Sequence, residues 1–170
     1  MRVGALVVTS CGCGWNVQHV CDLFAVCVMS GDLFVSGGYE VDAAVETVER
    51  YNISTDIWTP TAPMLYGRAQ HRACAVGQSM YVIGGFDSDI NILDSVLRYD
   101  SSTEVWTEMN SMPGARYGVA VCAVGSDLFV FGGNNNQQVA TDTVYRYSTE
   151  TNEWIILDPC QSQDAITVCV

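Results

Sequence analysis

Cysteine and histidine are the residue types in this sequence that could hold a metal ion or carry out redox chemistry. Cys11 and Cys13 stand one residue apart, and the chain contains two histidines, His19 and His71. A structural zinc site needs four ligands at workable spacing, and its usual Cys-x-x-Cys pair does not occur in the sequence. The sequence therefore predicts neither a metal ion nor another cofactor.

Sequence motifs of nucleophilic or phosphate chemistry are also missing. There is no Gly-x-Ser-x-Gly sequence and no glycine-rich loop of the phosphate-binding type. Asn52-Ile53-Ser54 matches a glycosylation acceptor, which matters only in a secreted chain. We therefore predict that the chain is not an enzyme.

Four cysteines recur at a nearly constant interval. Cys27, Cys74, Cys122 and Cys169 follow one another after 47, 48 and 47 residues, each in a short apolar string. Packed sheets lie about 10 Å apart, whereas a disulfide tolerates Cα separations only up to about 7 Å. We expect these residues to be small buried side chains with free thiols, as suits a reducing compartment.

The cysteine interval belongs to a repeat that runs through most of the chain. An Arg, a Tyr, a Thr and a Trp each recur twice at intervals of 48 residues, and a Met and a further Arg recur once. We call each set of residues that recurs at this interval a column. So many columns with the same period predict repeated units of one architecture. The columns are Arg50, Arg98 and Arg146; Tyr51, Tyr99 and Tyr147; Thr55, Thr103 and Thr151; Trp58, Trp106 and Trp154; Met64 and Met112; Arg68 and Arg116.

Each unit reads as four short strands with a Gly-Gly pair after the second, at residues 37–38, 84–85 and 132–133. In the middle unit the predicted strands cover residues 72–76, 80–83, 95–99 and 104–107. The third of these strands places Val96 and Leu97 on opposite faces, and apolar bulk on both faces indicates a sheet that is covered on both sides. The middle unit is therefore predicted to be a blade stacked between two neighbours.

This pattern resembles the kelch repeat: an apolar strand ending in Gly-Gly, a Tyr 13 or 14 residues later, a Trp seven residues after the Tyr, and then a Met and an Arg. The resemblance implies an all-β fold, a partial kelch β-propeller with three four-stranded blades plus the first strand of a fourth. Its units cover residues 23–73, 74–121 and 122–170, and residues 1–22 form an irregular segment outside the repeats. Propellers close with roughly four to eight blades, so we expect the chain to be part of a larger ring.

In kelch propellers that recruit proteins, the binding face is formed by the loops after each Gly-Gly pair and by the linkers that lead into each first strand. The resemblance therefore places the partner-binding residues in those loops, where a rigid scaffold presents variable side chains. The candidates are Tyr39, Glu40, Asp42, Tyr66, Arg68, His71, Phe86, Asp87, Asp89, Asn91, Arg116, Tyr117, Asn134, Asn135, Asn136 and Gln137.

Charge narrows the classes of partner. The formal net charge is −12, all seven basic residues are Arg, and the sequence contains no Lys. Phosphate binding needs a basic stripe, so a nucleic acid is not an expected partner. No apolar run reaches the roughly 18 residues of a membrane span. We expect a cytoplasmic protein with a protein partner, and an acidic surface favours a basic one.

The sequence is most similar to kelch-like proteins in which a BTB domain precedes the propeller and which present substrates to cullin-RING ubiquitin ligases. By this resemblance, the chain is the substrate-binding propeller of such an adaptor, and further blades or a BTB domain would have to come from outside it. One alternative is an actin-associated cytoskeletal scaffold. A kelch-type copper oxidase is a second alternative, and it would need both His19 and His71 at the metal.

Overall fold

A computed structural model describes residues 23–157 of the chain, and in this part of the chain all regular secondary structure is β. The predicted irregular segment 1–22 and the predicted first strand of a fourth blade lie outside the described residues. The strands are β1 (Ala25–Met29), β2 (Asp32–Ser36), β3 (Tyr39–Glu40), β4 (Ala43–Ala44), β5 (Val48–Asn52), β6 (Ile57–Pro60), β7 (Arg72–Val76), β8 (Ser79–Ile83), β9 (Val96–Asp100), β10 (Val105–Met109), β11 (Ala120–Val124), β12 (Asp127–Phe131), β13 (Val144–Ser148) and β14 (Glu153–Leu157).

The strands form three four-stranded antiparallel sheets, which confirms the three predicted blades. Blade 1 has the order β1-β2-β5-β6, blade 2 the order β7-β8-β9-β10, and blade 3 the order β11-β12-β13-β14. The short pair β3-β4 is an additional hairpin inside the loop of blade 1. The first two strands of each blade are joined by a tight turn, and in blade 1 both turn residues, Ser30 and Gly31, have positive φ. This is the geometry of a two-residue hairpin, which follows the twist of the strands.

Each blade presents two different faces. The register of blade 2 puts Cys74 beside Tyr81 on one face and Trp106 beside Tyr99 on the other. We call these the cysteine face and the tryptophan face, and the same assignment holds for the equivalent residues of blades 1 and 3. A strand alternates its side chains between the two faces, so every blade can pack on both sides.

The hydrophobic core lies in the two seams between blades. At the first seam the cysteine face of blade 1, with Met29 and Phe34, packs on the tryptophan face of blade 2, with Met80 and Leu97. At the second seam the cysteine face of blade 2 packs in the same way on the tryptophan face of blade 3. The prediction that β9 is covered on both sides is confirmed, because Val96 belongs to the second seam and Leu97 to the first.

Two contacts recur across both seams. The ring of Phe34 lies 6.1 Å from that of Tyr99, and the ring of Tyr81 lies 6.1 Å from that of Tyr147. The tryptophan of the following blade also donates a hydrogen bond to a carbonyl of the preceding linker, at 2.9 Å from Trp106 Nε1 to Ala62 O. The repeated aromatic residues therefore pack and hydrogen-bond between one blade and the next.

The expectation that the repeated cysteines are buried free thiols holds only in part. Cys27, Cys74 and Cys122 are free thiols. Burial raises the pKa of Cys27 to about 12, so this thiol stays protonated and unreactive. Cys122, however, is exposed, because it lies on the cysteine face of blade 3 and no blade among the described residues covers that face. The prediction of burial was wrong for Cys122, Cys27 and Cys74 are half-buried, and Cys169 lies outside the described residues.

Candidate functional site

The loops after the Gly-Gly pairs and the linkers between blades meet at one end of the arc. The amide of Gly38 donates to the carbonyl of Arg68, and that of Gly85 donates to Arg116. Isolated bridges also join Ala69 to Phe86 and Tyr117 to Asn134. We call the surface built from these segments, residues 38–47, 61–71, 85–95, 110–119 and 133–143, the loop face. The two classes of segment that the resemblance singled out are therefore neighbours in space.

Gly85 shows why glycine is needed where a loop leaves its blade. Its φ is +94°, and a Cβ atom at this position would lie 2.4 Å from the carbonyl oxygen of Ala69. A backbone in this conformation, with another backbone this close, leaves no room for a side chain. The close approach holds the loop after β8 against the linker that precedes β7, and it fixes the position of the next residue, Phe86.

An aromatic row crosses the loop face. The rings of Tyr39 and Phe86 lie 6.0 Å apart, and those of Phe86 and Tyr117 lie 6.2 Å apart. The row rests on the buried side chains of Ala44 and Ala69. Phe86 is almost buried, whereas Tyr39 and Tyr117 are half-exposed. Three of the predicted site residues, contributed by blade 1, blade 2 and the linker to blade 3, thus form one continuous surface.

The side chains of Asp87 and Asn135 accept hydrogen bonds from the backbone of their own loops. One carboxylate oxygen of Asp87 accepts hydrogen bonds from the amides of Asp89 and Asn91, and the other accepts one from Asn91 Nδ2. Burial alone would raise the pKa of Asp87, but these hydrogen bonds outweigh it and hold the pKa below its ordinary value. Asn135, 48 residues later, accepts from the amides of Gln137 and Val139. Asp87, Asn91 and Asn135 therefore hold their loops in shape.

The loop tips carry exposed residues in strained conformations. Val41, Ile90 and Gln138 occupy equivalent tips and all have positive φ, between 56° and 63°. Val41 is 77% exposed and Ile90 is 54% exposed. A β-branched residue is rarely found with positive φ, and strain of this kind concentrates at functional positions. Sequence reasoning missed Val41 and Ile90, although an apolar residue inside a polar loop was a usable signal.

Arg68 and His71 do not belong to the accessible part of the loop face, and the expectation that they contact a partner is corrected here. Both side chains are fully buried. Arg68 donates from Nη1 to the carbonyls of Gly84 and Ser95 and from Nη2 to Ser95 Oγ. His71 Nε2 lies 3.0 Å from Ser36 Oγ. These two residues bind the linker to the ends of the neighbouring strands, so their role is to hold the loop face together.

Tyr66 and Arg116 are half-buried at the seams. The Tyr66 hydroxyl donates to Glu108 Oε1 at 3.1 Å, and its ring packs on the first seam. Arg116 stacks on the ring of Tyr145 at 5.7 Å and donates from Nη2 to its hydroxyl. Both side chains are engaged, so they support the blade contacts as well as any surface role.

The ionised groups on the loops after β2 and β8 are acidic. Asp42 and Asp89 are exposed, and Glu40 and Asp87 are half-buried. Of the nearby arginines, Arg68 is buried, Arg116 is half-buried, and Arg72, at the start of β7, is exposed. Asn134 and Asn135 are half-exposed, and Asn136 and Gln137 are exposed. The surface therefore combines an aromatic row with carboxylates and amides.

Metal chemistry has no support within the described range. Between residues 23 and 157, no three His, Cys, Asp or Glu side chains come together in an arrangement that could hold a metal ion. His71 is fully buried, and burial together with Arg68 and Arg72 lowers its pKa to about 3. His19, Cys11 and Cys13 lie outside the described residues. No helix in the described range is long and apolar enough to cross a membrane.

Comparison with known proteins agrees with this geometry. Residues 23–167 match the KLHDC2/KLHL20/DRC7 Kelch-repeats domain family. The chain is 40% identical to the Influenza virus NS1A-binding protein homolog of Xenopus laevis over 57 residues, which is 34% of this chain and 9% of that protein. It is 31% identical to Kelch-like protein 21 of Danio rerio over 67 residues, or 39% of this chain and 11% of that protein. With Kelch-like protein 23 of Homo sapiens it shares 37% identity over 65 residues, or 37% of this chain and 12% of that protein. The chain thus spans about a tenth of the length of these relatives. Because the family match covers most of its length, the chain belongs to the kelch-repeat family as a protein-interaction module.

Proposed function

We propose that the chain binds a protein partner through the loop face, and that it does no chemistry on that partner. The observation that supports this proposal best is the aromatic row of Tyr39, Phe86 and Tyr117, which continues across blade boundaries. Aromatic side chains on a rigid scaffold are frequent energetic centres of protein interfaces. The exposed apolar tips at Val41 and Ile90 lie in the same loops as Tyr39 and Phe86 and add contact area.

The partner segment is proposed to be basic, with an apolar or aromatic anchor. Glu40, Asp42, Asp87 and Asp89 attract positive charge, and the whole chain carries a formal net charge of −12. Complementary charge speeds association and excludes wrong partners, while the apolar anchor supplies most of the affinity. Asn134 and Asn135, together with their exposed neighbours, offer hydrogen bonds at the third blade.

The cellular role we propose is that of a substrate-binding propeller in an adaptor of a cullin-RING ubiquitin ligase. Two of the relatives are called Kelch-like proteins, which supports this choice over a cytoskeletal scaffold. In this role further blades and a BTB domain would complete the assembly. Among the described residues, the free thiols of Cys27, Cys74 and Cys122 favour a reducing, cytoplasmic setting.

Selection from a random peptide display library tests the binding proposal. The unaltered chain should enrich peptides that combine Arg or Lys with an aromatic or large apolar residue. Ile90→Ser and Tyr117→Ala should weaken binding of the enriched peptides at least tenfold. Ile53→Ser is the matched control, because Ile53 is 56% exposed and Ile90 54%, and because Ile53 lies in the β5–β6 turn at the opposite end of the blade. Equal binding by the Ile90 and Ile53 variants, or enrichment of acidic peptides, would overturn the proposal.

The adaptor role has its own test. Tagged chain expressed in cells should co-precipitate a cullin together with a BTB-containing protein, and the Ile90→Ser and Tyr117→Ala variants should retain this association while losing the substrate. Co-precipitation of actin filaments without a cullin would favour the cytoskeletal alternative. This result would leave the loop-face proposal intact, because peptide binding is measured separately.

A further inference from the structure

The loops after β2, β8 and β12 each fold back on themselves as a short hairpin. The first residue after each Gly-Gly pair bridges to a residue on the returning side of its loop. The bridged pairs are Tyr39 with Ala44, Phe86 with Ile92, and Asn134 with Ala140. In all three loops the following residue donates its amide to the second glycine of the pair, at 2.8 to 3.0 Å. Ala44, Ile92 and Ala140 therefore occupy equivalent positions, which we call the return position.

The backbone of Ile92 faces away from its own hairpin. Its two neighbours make the hairpin bonds, because Asn91 O accepts from the outgoing side of the loop and Leu93 N donates to it. In an antiparallel ladder, residues with such bonds alternate with residues whose N–H and C=O point outward. Phe86, opposite Ile92, exchanges both of its bonds with Ala69. Among the described residues, none bonds the Ile92 amide or carbonyl, so this small sheet ends in an open edge at Ile92.

Ala44, at the return position of the preceding loop, shows what such an edge can bind. Its amide donates to Ser88 Oγ at 3.0 Å, and Ser88 Oγ donates to the Ala44 carbonyl at 3.4 Å. One group from blade 2 that both accepts and donates thus occupies the outward pair in blade 1. The residue of blade 3 that corresponds to Ser88 is Asn136, which is exposed and makes no hydrogen bond with Ile92 in the described range. The edge is therefore closed at Ala44 and open at Ile92.

We propose that an extended segment of the protein partner pairs with Ile92 as an additional antiparallel strand. One partner residue accepts a hydrogen bond from the Ile92 amide and donates one to the Ile92 carbonyl, as the two residues of a hydrogen-bonded antiparallel pair do. A main chain offers this donor and acceptor whatever its side chains are, and an open strand edge is a template for such pairing. This inference rests on the proposed binding at the loop face and states how the partner lies there.

The open edge lies beside the aromatic row. Ile92 and Tyr117 pack on the same buried cluster as Phe86, and the rings of Phe86 and Tyr117 lie 6.2 Å apart. Asp89, in the same loop as Ile92, is exposed and can pair with a basic side chain. Side chains alternate along an extended segment, so a strand held at Ile92 presents every second side chain to one side. The main-chain bonds then contribute affinity, and the row and the carboxylate select the side chains.

Backbone changes in a partner peptide test the proposal directly. The probe is the peptide that the unaltered chain enriches most strongly from the display library, synthesised with one N-methyl group at a time. N-methylation removes a single N–H donor, so binding should weaken about tenfold at the residue that faces Ile92. Replacing each Ser, Thr or Asn of the peptide by Ala should not reproduce this loss. Loss of binding on removal of one such side chain, with N-methylation tolerated at every residue, would show that a side chain occupies the edge and would overturn the proposal.

Amide hydrogen exchange locates the contact on the protein. Exchange of the Ile92 amide, followed by NMR, should slow when the peptide saturates the chain. The Ala44 amide is already bonded to Ser88, so it should be protected with or without peptide. Ser88→Ala should speed exchange at Ala44 and leave the protection of Ile92 by the peptide unchanged.

Proline substitution removes the donor from the protein. Ile92→Pro should weaken peptide binding about tenfold, because proline has no N–H. Ile92→Val keeps the donor and should bind as the unaltered chain does. Ala140→Pro is the matched control, since Ala140 holds the return position in the loop of blade 3, and it should bind normally. Proline also restricts the residue before it, and the N-methyl series measures the same pairing without any change to the protein.

The results separate this inference from the proposed function. Peptides that depend on Ile90 and Tyr117, yet tolerate every N-methyl group and leave the Ile92 amide exchanging freely, would overturn the strand pairing and leave binding at the loop face in place. Peptides that bind equally well to the Ile90 and Ile53 variants would overturn the loop face as the binding surface, and the strand pairing with it.

Discussion

His71 Nε2 lies 3.0 Å from Ser36 Oγ and joins the linker between blades 1 and 2 to the last residue of β2. Both side chains are buried. Arg68, three residues earlier, joins the same linker to Gly84 and Ser95 of blade 2. The loop face is thus anchored on both sides of the first seam by buried polar side chains, and their ionisation and hydrogen bonding should control its stability.

His71 should make the chain less stable as the pH is lowered. Burial, Arg68 and Arg72 lower the pKa of His71 to about 3 in the folded chain, whereas an unfolded histidine has a pKa of about 6.5. Between these two values the unfolded chain binds a proton that the folded chain does not bind. The free energy of unfolding should therefore decrease as the pH falls below about 6.5, by up to about 1.4 kcal/mol per pH unit from this group.

The check is urea denaturation at fixed chain concentration between pH 7 and pH 4, with His71→Gln as the comparison. Glutamine can bond Ser36 but does not ionise, so the variant should lose less stability across this range than the unaltered chain. The carboxylates contribute equally to both proteins and cancel in the difference. Parallel pH profiles for the two proteins would contradict the assignment.

Arg68 and Arg116 occupy equivalent positions but should differ in their contribution to stability. Arg68→Leu leaves the Gly84 carbonyl and Ser95 Oγ without the Arg68 donor inside the core, whereas the Ser95 carbonyl keeps its hydrogen bond from the amide of Gly84. We expect a loss of about 2–4 kcal/mol, as is usual for a broken buried network. Arg116 is half-buried and bonds the Tyr145 hydroxyl, so Arg116→Leu should cost about 1 kcal/mol. Chemical denaturation of both variants measures the difference, and equal losses would show that the burial of Arg68 is unimportant.

The 48-residue period predicted the three blades, their strands and the two-sided packing of the middle blade. This was possible because side chains alternate between the two faces of a strand, so the position of a residue in the strand decides which face of the blade it occupies. The repeat limits 23–73, 74–121 and 122–170 stay predictions; the limits at 73/74 and 121/122 fall inside β7 and β11, the first strands of blades 2 and 3. The period could not separate Arg68 from Arg116. Their different burial depends on side chains distant in sequence, Ser95 in one case and Tyr145 in the other. The aromatic row likewise joins residues from three segments, and no local pattern predicts that contact.

Trp106 and Trp154 form a matched pair for the seam hydrogen bond. Trp106 Nε1 donates to Ala62 O and Trp154 Nε1 donates to Asn110 O, at 2.9 and 2.8 Å. Trp106 is buried whereas Trp154 is half-exposed. Water can replace the lost donor only at the exposed site, so Trp106→Phe should cost about 1–3 kcal/mol and Trp154→Phe less than about 1 kcal/mol.

Thermal and urea unfolding of the two tryptophan variants would measure this difference. Each substitution removes the same indole atoms, but Trp106 loses more buried ring area than Trp154, so the difference reports the hydrogen bond together with its burial. A larger loss for Trp154→Phe would mean that the second seam contributes more to stability than the first.

Gly85 should be more sensitive to substitution than Gly31, although both have similar positive φ, +94° and +87°. A Cβ at Gly85 would meet the carbonyl oxygen of Ala69 at 2.4 Å, whereas a Cβ at Gly31 would meet nothing within 4 Å. Gly31→Ala should therefore lose only the backbone preference, about 1 kcal/mol. Gly85→Ala adds a clash between two backbones and should destabilise by more than about 2 kcal/mol.

The Gly85 variant should also affect binding, which the Gly31 variant should not. Relief of the clash at Gly85 moves the linker at Ala69 or the loop at Phe86, and either shift separates Phe86 from Tyr39 or Tyr117. The near-ultraviolet circular dichroism of the aromatic row should change for Gly85→Ala, and affinity for the peptides enriched by the unaltered chain should fall. A folded Gly85→Ala protein with unchanged spectrum and affinity would show that the row does not depend on this close backbone contact, and that its position is set instead by the buried alanines beneath it.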